Sequence, residues 1–153
     1  MKIIGVISDT HGLMRSKALA ALRGSDLVVH AGDIGSPHVI QALRQLGPVF
    51  AVRGNVDRDE WAERLPTTQV VEVEGVHVYV LHDLSALDLD PVAAGFQVVI
   101  AGHSHRPSIT TKQGVQYLNP GSAGPRRLQL PVTVAKLSVE AGKFIAEIIV
   151  LEP

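Results

Sequence analysis

Residues 2–12, KIIGVISDTHG, set a nearly unbroken apolar, β-branched run directly against a cluster of polar side chains. A run of that kind predicts a strand covered on both faces, and its abrupt polar end predicts a loop that does chemistry. The same grammar continues downstream: SKALAALRG (16–24) has helical period, DLVVHAG (26–32) reads as a strand, SPHVIQALRQLG (36–47) as a helix and PVFAVRG (48–54) as a third strand. Strands alternating with helical segments predict βαβ units and a parallel sheet. Ser16 and Ser36 are the expected N-caps, with Gly24 and Gly47 as helix stops.

The second half changes style. TQVVEVEG (68–75) and VHVYVLHD (76–83) are separated only by a glycine-containing turn, and hairpins are expected around Gln113-Gly114 and Ala141-Gly142. Between them DLDPVAAG (88–95) is a short helical segment and FQVVIAG (96–102) another buried strand. The expectation is a mixed α/β protein forming one domain over residues 1–153, with two sheets face to face and helices outside.

Composition narrows the function classes. The 153 residues are 46% hydrophobic and 19% charged, with a formal net charge of −1, so no basic face for coating nucleic acid is indicated and no stable nucleic-acid complex is expected. Cysteine is absent, which removes thiolate chemistry and leaves His, Asp, Glu and Asn as the available metal ligands. The opening segment is too short for a signal core or a membrane span, and a soluble, cytoplasmic protein is expected.

Five predicted strands end in polar groups of one chemical kind. They finish in Asp9 and His11, in Asp33, in Asn55, in His82, and in His103 and His105. Ligands in open α/β sheets bind beyond the carboxyl ends of the strands, so these loops are expected to share one cleft. Seven oxygen and nitrogen donors exceed the needs of one tetrahedral ion and suit two divalent ions of higher coordination number.

These motifs, D-x-H at 9–11, G-D at 32–33, G-N at 54–55, a lone His at 82 and G-H-x-H at 102–105, resemble in their order the calcineurin-like metallophosphoesterases. The modest length and the N-P-G-S stretch at 119–122 are most similar to the small bacterial and archaeal phosphodiesterases of that superfamily (YfcE-like). The resemblance implies a four-layer αββα sandwich of two mixed β-sheets flanked by helices. It implies that Asp9, His11, Asp33 and His105 hold one metal while Asp33, Asn55, His82 and His103 hold the other, with Asp33 as the bridge. Through metal-bound water and phosphate, Asp33, Asn55, His82 and His103 are the implied catalytic group.

Two departures point to substrate. Larger members carry an arginine after G-D, where this chain reads Ile-Gly-Ser-Pro, and a histidine after G-N, where it has Val56. Without that leaving-group acid a diester with a good leaving group is expected. Two divalent ions, two aspartates and a bridging hydroxide leave about +1 in the cleft, which suits a phosphodiester monoanion. The expected cofactor is a pair of divalent ions, Mn²⁺ first, with Ni²⁺, Fe²⁺, Zn²⁺ or Mg²⁺ as alternatives, and the expected substrate is a small or nucleotide-like phosphodiester. Arg126 and Arg15 are the cations offered to it. The alternatives are a phosphomonoesterase or nuclease, or a non-catalytic metal-binding scaffold of the same fold, as in a retromer subunit; a homodimer or homotetramer fits either.

The remaining polar residues have plainer readings. His38 and His77 are satisfied structural or surface residues, and His30 either packs in the core or supports the metal site. Asp57 caps or steadies its turn, Asn119 to Ser122 shape the cleft wall, and Trp61 packs the segment after Asp57.

Overall fold

The computed structural model describes residues 1–153, in two five-stranded sheets. The first half supplies β1 (Lys2–Ile7), α1 (Ser16–Ala21), β2 (Leu27–His30), α2 (Pro37–Arg44), β3 (Val49–Ala51) and α3 (Glu60–Glu63). The second supplies β4 (Thr68–Val73), β5 (Val76–Leu81), a 3₁₀ turn at Leu84–Ala86, α4 (Pro91–Ala94), β6 (Val98–Ile100), β7 (Ser108–Lys112), β8 (Val115–Asn119), β9 (Val132–Glu140) and β10 (Lys143–Glu152). The first sheet runs β10-β9-β1-β2-β3, parallel through β1, β2 and β3 and antiparallel at β9 and β10. The second runs β4-β5-β6-β8-β7, parallel through β5, β6 and β8 with antiparallel edges.

Alternation of side chains explains the layers. Ile4 and Val6 of β1 face inward with Val29, and they meet Val78, Val80, Val98, Ile100 and Leu118 of the second sheet in one apolar core. Ile7, Val28 and Ala51 point the other way, beneath Ala18 of α1, Leu22 at its C-cap and Val39, Ile40 and Leu43 of α2. The outer face of the second sheet has a thinner cover. Tyr79, Leu81, Val99, Ala101 and Val115 there pack against Leu87, Leu89 and Phe96 from the segment holding the 3₁₀ turn and the four-residue α4. The layering is αββα, as expected, with the fourth layer reduced.

All three hairpins turn on paired positive φ angles, 51° and 81° at Glu74-Gly75, 53° and 80° at Gln113-Gly114, and 49° and 79° at Ala141-Gly142. That is the mirror-image two-residue turn whose twist matches the strands it joins. The helix ends depart from expectation. Arg15, not Ser16, occupies the cap of α1 without a side-chain cap bond. Ser36 does cap α2 by position, but its hydroxyl meets His38 Nδ1 at 2.6 Å in place of the helix backbone. Packing of their apolar faces, not capping, holds these short helices.

Candidate metal centre

The ends of β1, β2 and β3 in one sheet and of β5 and β6 in the other open at the same edge of the sandwich. Main-chain bonds lace the loops together: Asp9 N–H donates to Gly32 O at 3.0 Å, His11 N–H to Asp33 O at 3.0 Å, and Gly102 N–H to His82 O at 2.9 Å. Ligating atoms of Asp9, His11 and His105 lie within 4.8 Å of one another, and so do those of Asp9, Asp33 and His82. Asp9 is common to both groups, while Asp33 Oδ2 stands 3.7 Å from His11 Nε2 and 3.2 Å from His82 Nε2, one member of each.

Both carboxylates are tied by one oxygen and free at the other. Asp9 Oδ2 accepts from Ser8 Oγ at 2.7 Å and from the His103 N–H at 3.1 Å, leaving the buried Oδ1 with no donor. Asp33 Oδ1 accepts from the Val56 N–H at 3.1 Å, and its Oδ2 faces the histidines. Burial alone would raise the Asp33 pKa, but the contact with His82 and the Val56 N–H outweigh it and hold the carboxyl below its usual 3.8.

His82 shows how an imidazole is aimed. Its Nδ1–H donates to Ala31 O at 2.7 Å, which directs the Nε2 lone pair into the cluster. Burial works against its protonation, yet the contact with Asp33 prevails and raises its pKa above 6.5. His105 is moved the other way, chiefly by burial and further by Arg127, against the pull of Asp9. One end of the Asn55 carboxamide lies 3.3 Å from both Asp33 oxygens and 3.0 Å from His82 Nε2, among acceptors: without a cation the amide nitrogen belongs there as donor, and a cation would take the oxygen. Such a cage of unpaired acceptors, with Asp9 Oδ1 and His11 Nε2 buried and unbonded, fits a divalent cation with oxygen and nitrogen ligands. His103 stands at the rim instead. Its half-exposed ring points Nε2 at Asp83 Oδ2, 3.7 Å away, and lies outside both close groups.

Backbone strain collects here. Asp9, His11, Asp33, His103 and His105 all adopt left-handed φ angles, between 46° and 71°. Each costs about 1 kcal/mol, and strain repeated at one locus points to a function that requires it. Two glycines allow the close approach. A Cβ at Gly54 would collide with the Asp33 backbone nitrogen and carboxylate, and one at Gly102 with Ser8 Oγ and Asp9 Oδ2.

Several residues around the cluster support it. Asp57 is buried and accepts three main-chain N–H groups, from Ile34 at 3.1 Å, Gly35 at 3.0 Å and Gly54 at 2.9 Å, clamping the Asp33 and Asn55 loops together. His30 bridges two other loops. Thr10 Oγ1 donates to Ile34 O, so His30 Nε2–H must donate to Thr10 while Nδ1 accepts from the Gly32 N–H. That pattern requires a neutral ring, and burial lowers its pKa to about 3. Asn119 donates to Gly102 O and Ser104 Oγ, fastening the His103–His105 loop. Asp83 Oδ1 is held by the main chain and hydroxyl of Ser85, and these bonds keep its carboxyl below 3.8. The strand-end rule catches loops, but not the acids one residue beyond His82 and two beyond Asn55.

Arg15, expected as a cation for the substrate, pairs with Glu152 at 3.2 Å and donates to Gly124 O at 3.1 Å, tying the last strand to the 119–124 loop. Arg126 is exposed without a bonded partner, and it is the neighbouring Arg127 whose charge reaches His105. Trp61 packs against the cluster beneath α1 and α2, and His38 and His77 bond to Ser36 and Glu72 away from the cleft.

Comparison with known proteins gives a consistent result. Residues 1–142 match the calcineurin-like phosphoesterase superfamily domain. A probable metallophosphoesterase of Methanothermobacter thermautotrophicus is 36% identical, covering 96% of this chain and 91% of that protein. A phosphodiesterase of Methanocaldococcus jannaschii is 27% identical over 92% of this chain and 95% of its own length. Vps29 of Chaetomium thermophilum superposes with a TM-score of 0.80 at 18% identity, over 98% of this chain and 97% of its own, a likeness of fold.

Proposed function

The chain belongs to the calcineurin-like phosphoesterase superfamily, and on that premise we propose that this metal-dependent phosphoric ester hydrolase acts on phosphodiesters, using two divalent ions. The observation that carries the reading is the pair of half-tied carboxylates: Asp9 Oδ1 and Asp33 Oδ2 are both turned into a ring of imidazole nitrogens with no donor hydrogen placed for Asp9 Oδ1. Asp9, His11 and His105 would hold one ion and Asp33, Asn55 and His82 the other, with Asp33 reaching across and His103 closing the second from the rim. Manganese or a similar divalent ion suits this mixed donor set, and the pair would supply Lewis-acid polarisation of the phosphoryl group and acidify water to a nucleophile near neutral pH.

The chain's own residues set the substrate. In hydrolysis water adds across one P–O bond, so one arm departs as an alcohol carrying a proton and the other stays on a phosphomonoester. Val56 offers only its main-chain N–H, already bonded to Asp33, and cannot protonate the departing arm. Asp83 adds a third carboxylate at the rim, ionised through its bonds from Ser85, and repels a dianionic monoester more than a monoanionic diester. A scaffold protein would have no use for four strained positions, Asp9, His11, Asp33 and His105, gathered around one cluster.

Turnover of bis-p-nitrophenyl phosphate against p-nitrophenyl phosphate, with Mn²⁺ and after chelation, tests the assignment. Metal-dependent preference for the diester is expected. Faster monoester cleavage would overturn it, and inertness toward both would favour the scaffold.

A further inference from the structure

The reduced fourth layer leaves a groove on the outer face of the second sheet. Two contiguous cavities of about 230 and 270 Å³ share Leu84, Thr110 and Tyr117. The first begins at Asp83 and His103, beside the metal centre, and the second ends at Lys112 before the β7–β8 turn. From Ser108 to Lys112 an extended strand advances about 13 Å, which sets the reach of the groove. Its floor includes Val99, only 1% exposed, beside the Tyr117 ring, while Ser104, Ser108, Thr110 and Asn119 give it a polar rim. The first cavity alone falls below the roughly 300 Å³ at which pockets for whole ligands begin, so it suits one arm of a substrate whose phosphate lies at the metal centre.

A different cavity lies on the other side of the Asp83–His103 pair. It is about 390 Å³ and is lined by charged and polar residue types, among them Arg53, Asn55, Thr67, Thr68 and Asp88. The site therefore sits between two unlike chambers, one with an aromatic ring and apolar floor, the other with mixed charge.

We propose that the substrate is an unsymmetrical phosphodiester with a nucleoside arm lying in the Tyr117 groove, its base against the Tyr117 ring and its ribose against the hydroxyl rim of Ser104, Ser108 and Thr110. The inference rests on the diesterase reading and sharpens it. Stacking on an aromatic ring favours a planar base over an aliphatic arm, and the hydroxyl rim favours a sugar over a plain aryl group. The polar chamber at Arg53 receives the second arm.

Binding of AMP and of inorganic phosphate to the manganese-loaded protein, measured by calorimetry, tests this separately from turnover. AMP is expected to bind about tenfold more tightly than phosphate, the equivalent of one stacked base. Thr110→Trp fills the groove from an exposed strand position and should abolish that advantage while leaving phosphate affinity unchanged; Tyr117→Leu should reduce it severalfold. Equal affinities in the parent, or an AMP advantage that survives Thr110→Trp, would overturn the groove assignment. Failure to hydrolyse bis-p-nitrophenyl phosphate alongside a groove-dependent AMP advantage would defeat the diesterase reading and leave the nucleoside site standing.

Discussion

Asp9 and Asp33 are held alike although they end different strands. One oxygen of each accepts a main-chain N–H and the other faces the imidazoles. An amide at position 33 would keep the Val56 contact through its oxygen but remove the charge that faces both groups. Asp33→Asn is therefore expected to weaken both metal ions together, by at least about 100-fold; two ions at full occupancy in this variant, measured by anomalous scattering, would remove Asp33 from the bridging role. Asp83 lies at the rim, beside the His103 ring. Asp83→Asn should raise monoester turnover relative to diester turnover, since it removes a carboxylate from the rim. An unchanged ratio of kcat/KM values would show that the charge is not felt by the phosphate.

Loops carry the site, and Asp57 shows how they are made rigid. Its carboxylate accepts N–H groups from the loops that follow β2 and β3, so two separate elements share one acceptor. Asp57→Ala would remove the acceptor of three main-chain donors, of which Ile34 N–H is fully buried, with an expected loss of about 3 kcal/mol in urea unfolding and weaker metal binding in parallel. Normal metal affinity with lowered stability would limit Asp57 to a folding role. This clamp also marks where sequence reading stops. The strands and the three hairpins were legible because apolar runs and X-Gly pairs are local signals, and the convergence of the polar loops was legible because strand ends are local too. The direction of a side chain is not local: Arg15 turns to Glu152, 137 residues away, and His103 turns to Asp83. The four-residue α3 went unpredicted because so short a segment has no period to detect.

The two sheets meet at their cores and again at the metal centre, so the stability of the whole molecule is linked to groups beside the site. His30 is the clearest case. Its ring is neutral in the folded protein, with a pKa lowered by burial from 6.5 to about 3, whereas in the unfolded chain it takes up a proton below 6.5. Unfolding thus gains a proton between those values, and stability falls as pH falls through that window. His82 runs opposite: its raised pKa contributes stability that is full below 6.5 and is lost as pH rises through the folded value, and a metal ion at Nε2 would displace that proton. Comparing the parent with His30→Asn, both under chelation, cancels the His82 contribution. The variant should be less stable at pH 7, because the Thr10 contact is lost, yet between pH 7 and pH 4.5 the parent should lose roughly 2–3 kcal/mol more than the variant. Parallel stability curves by urea unfolding would mean that His30 is protonated in the folded protein, and with it that the Thr10–His30–Gly32 hydrogen-bond pattern joining the two ligand loops is wrong.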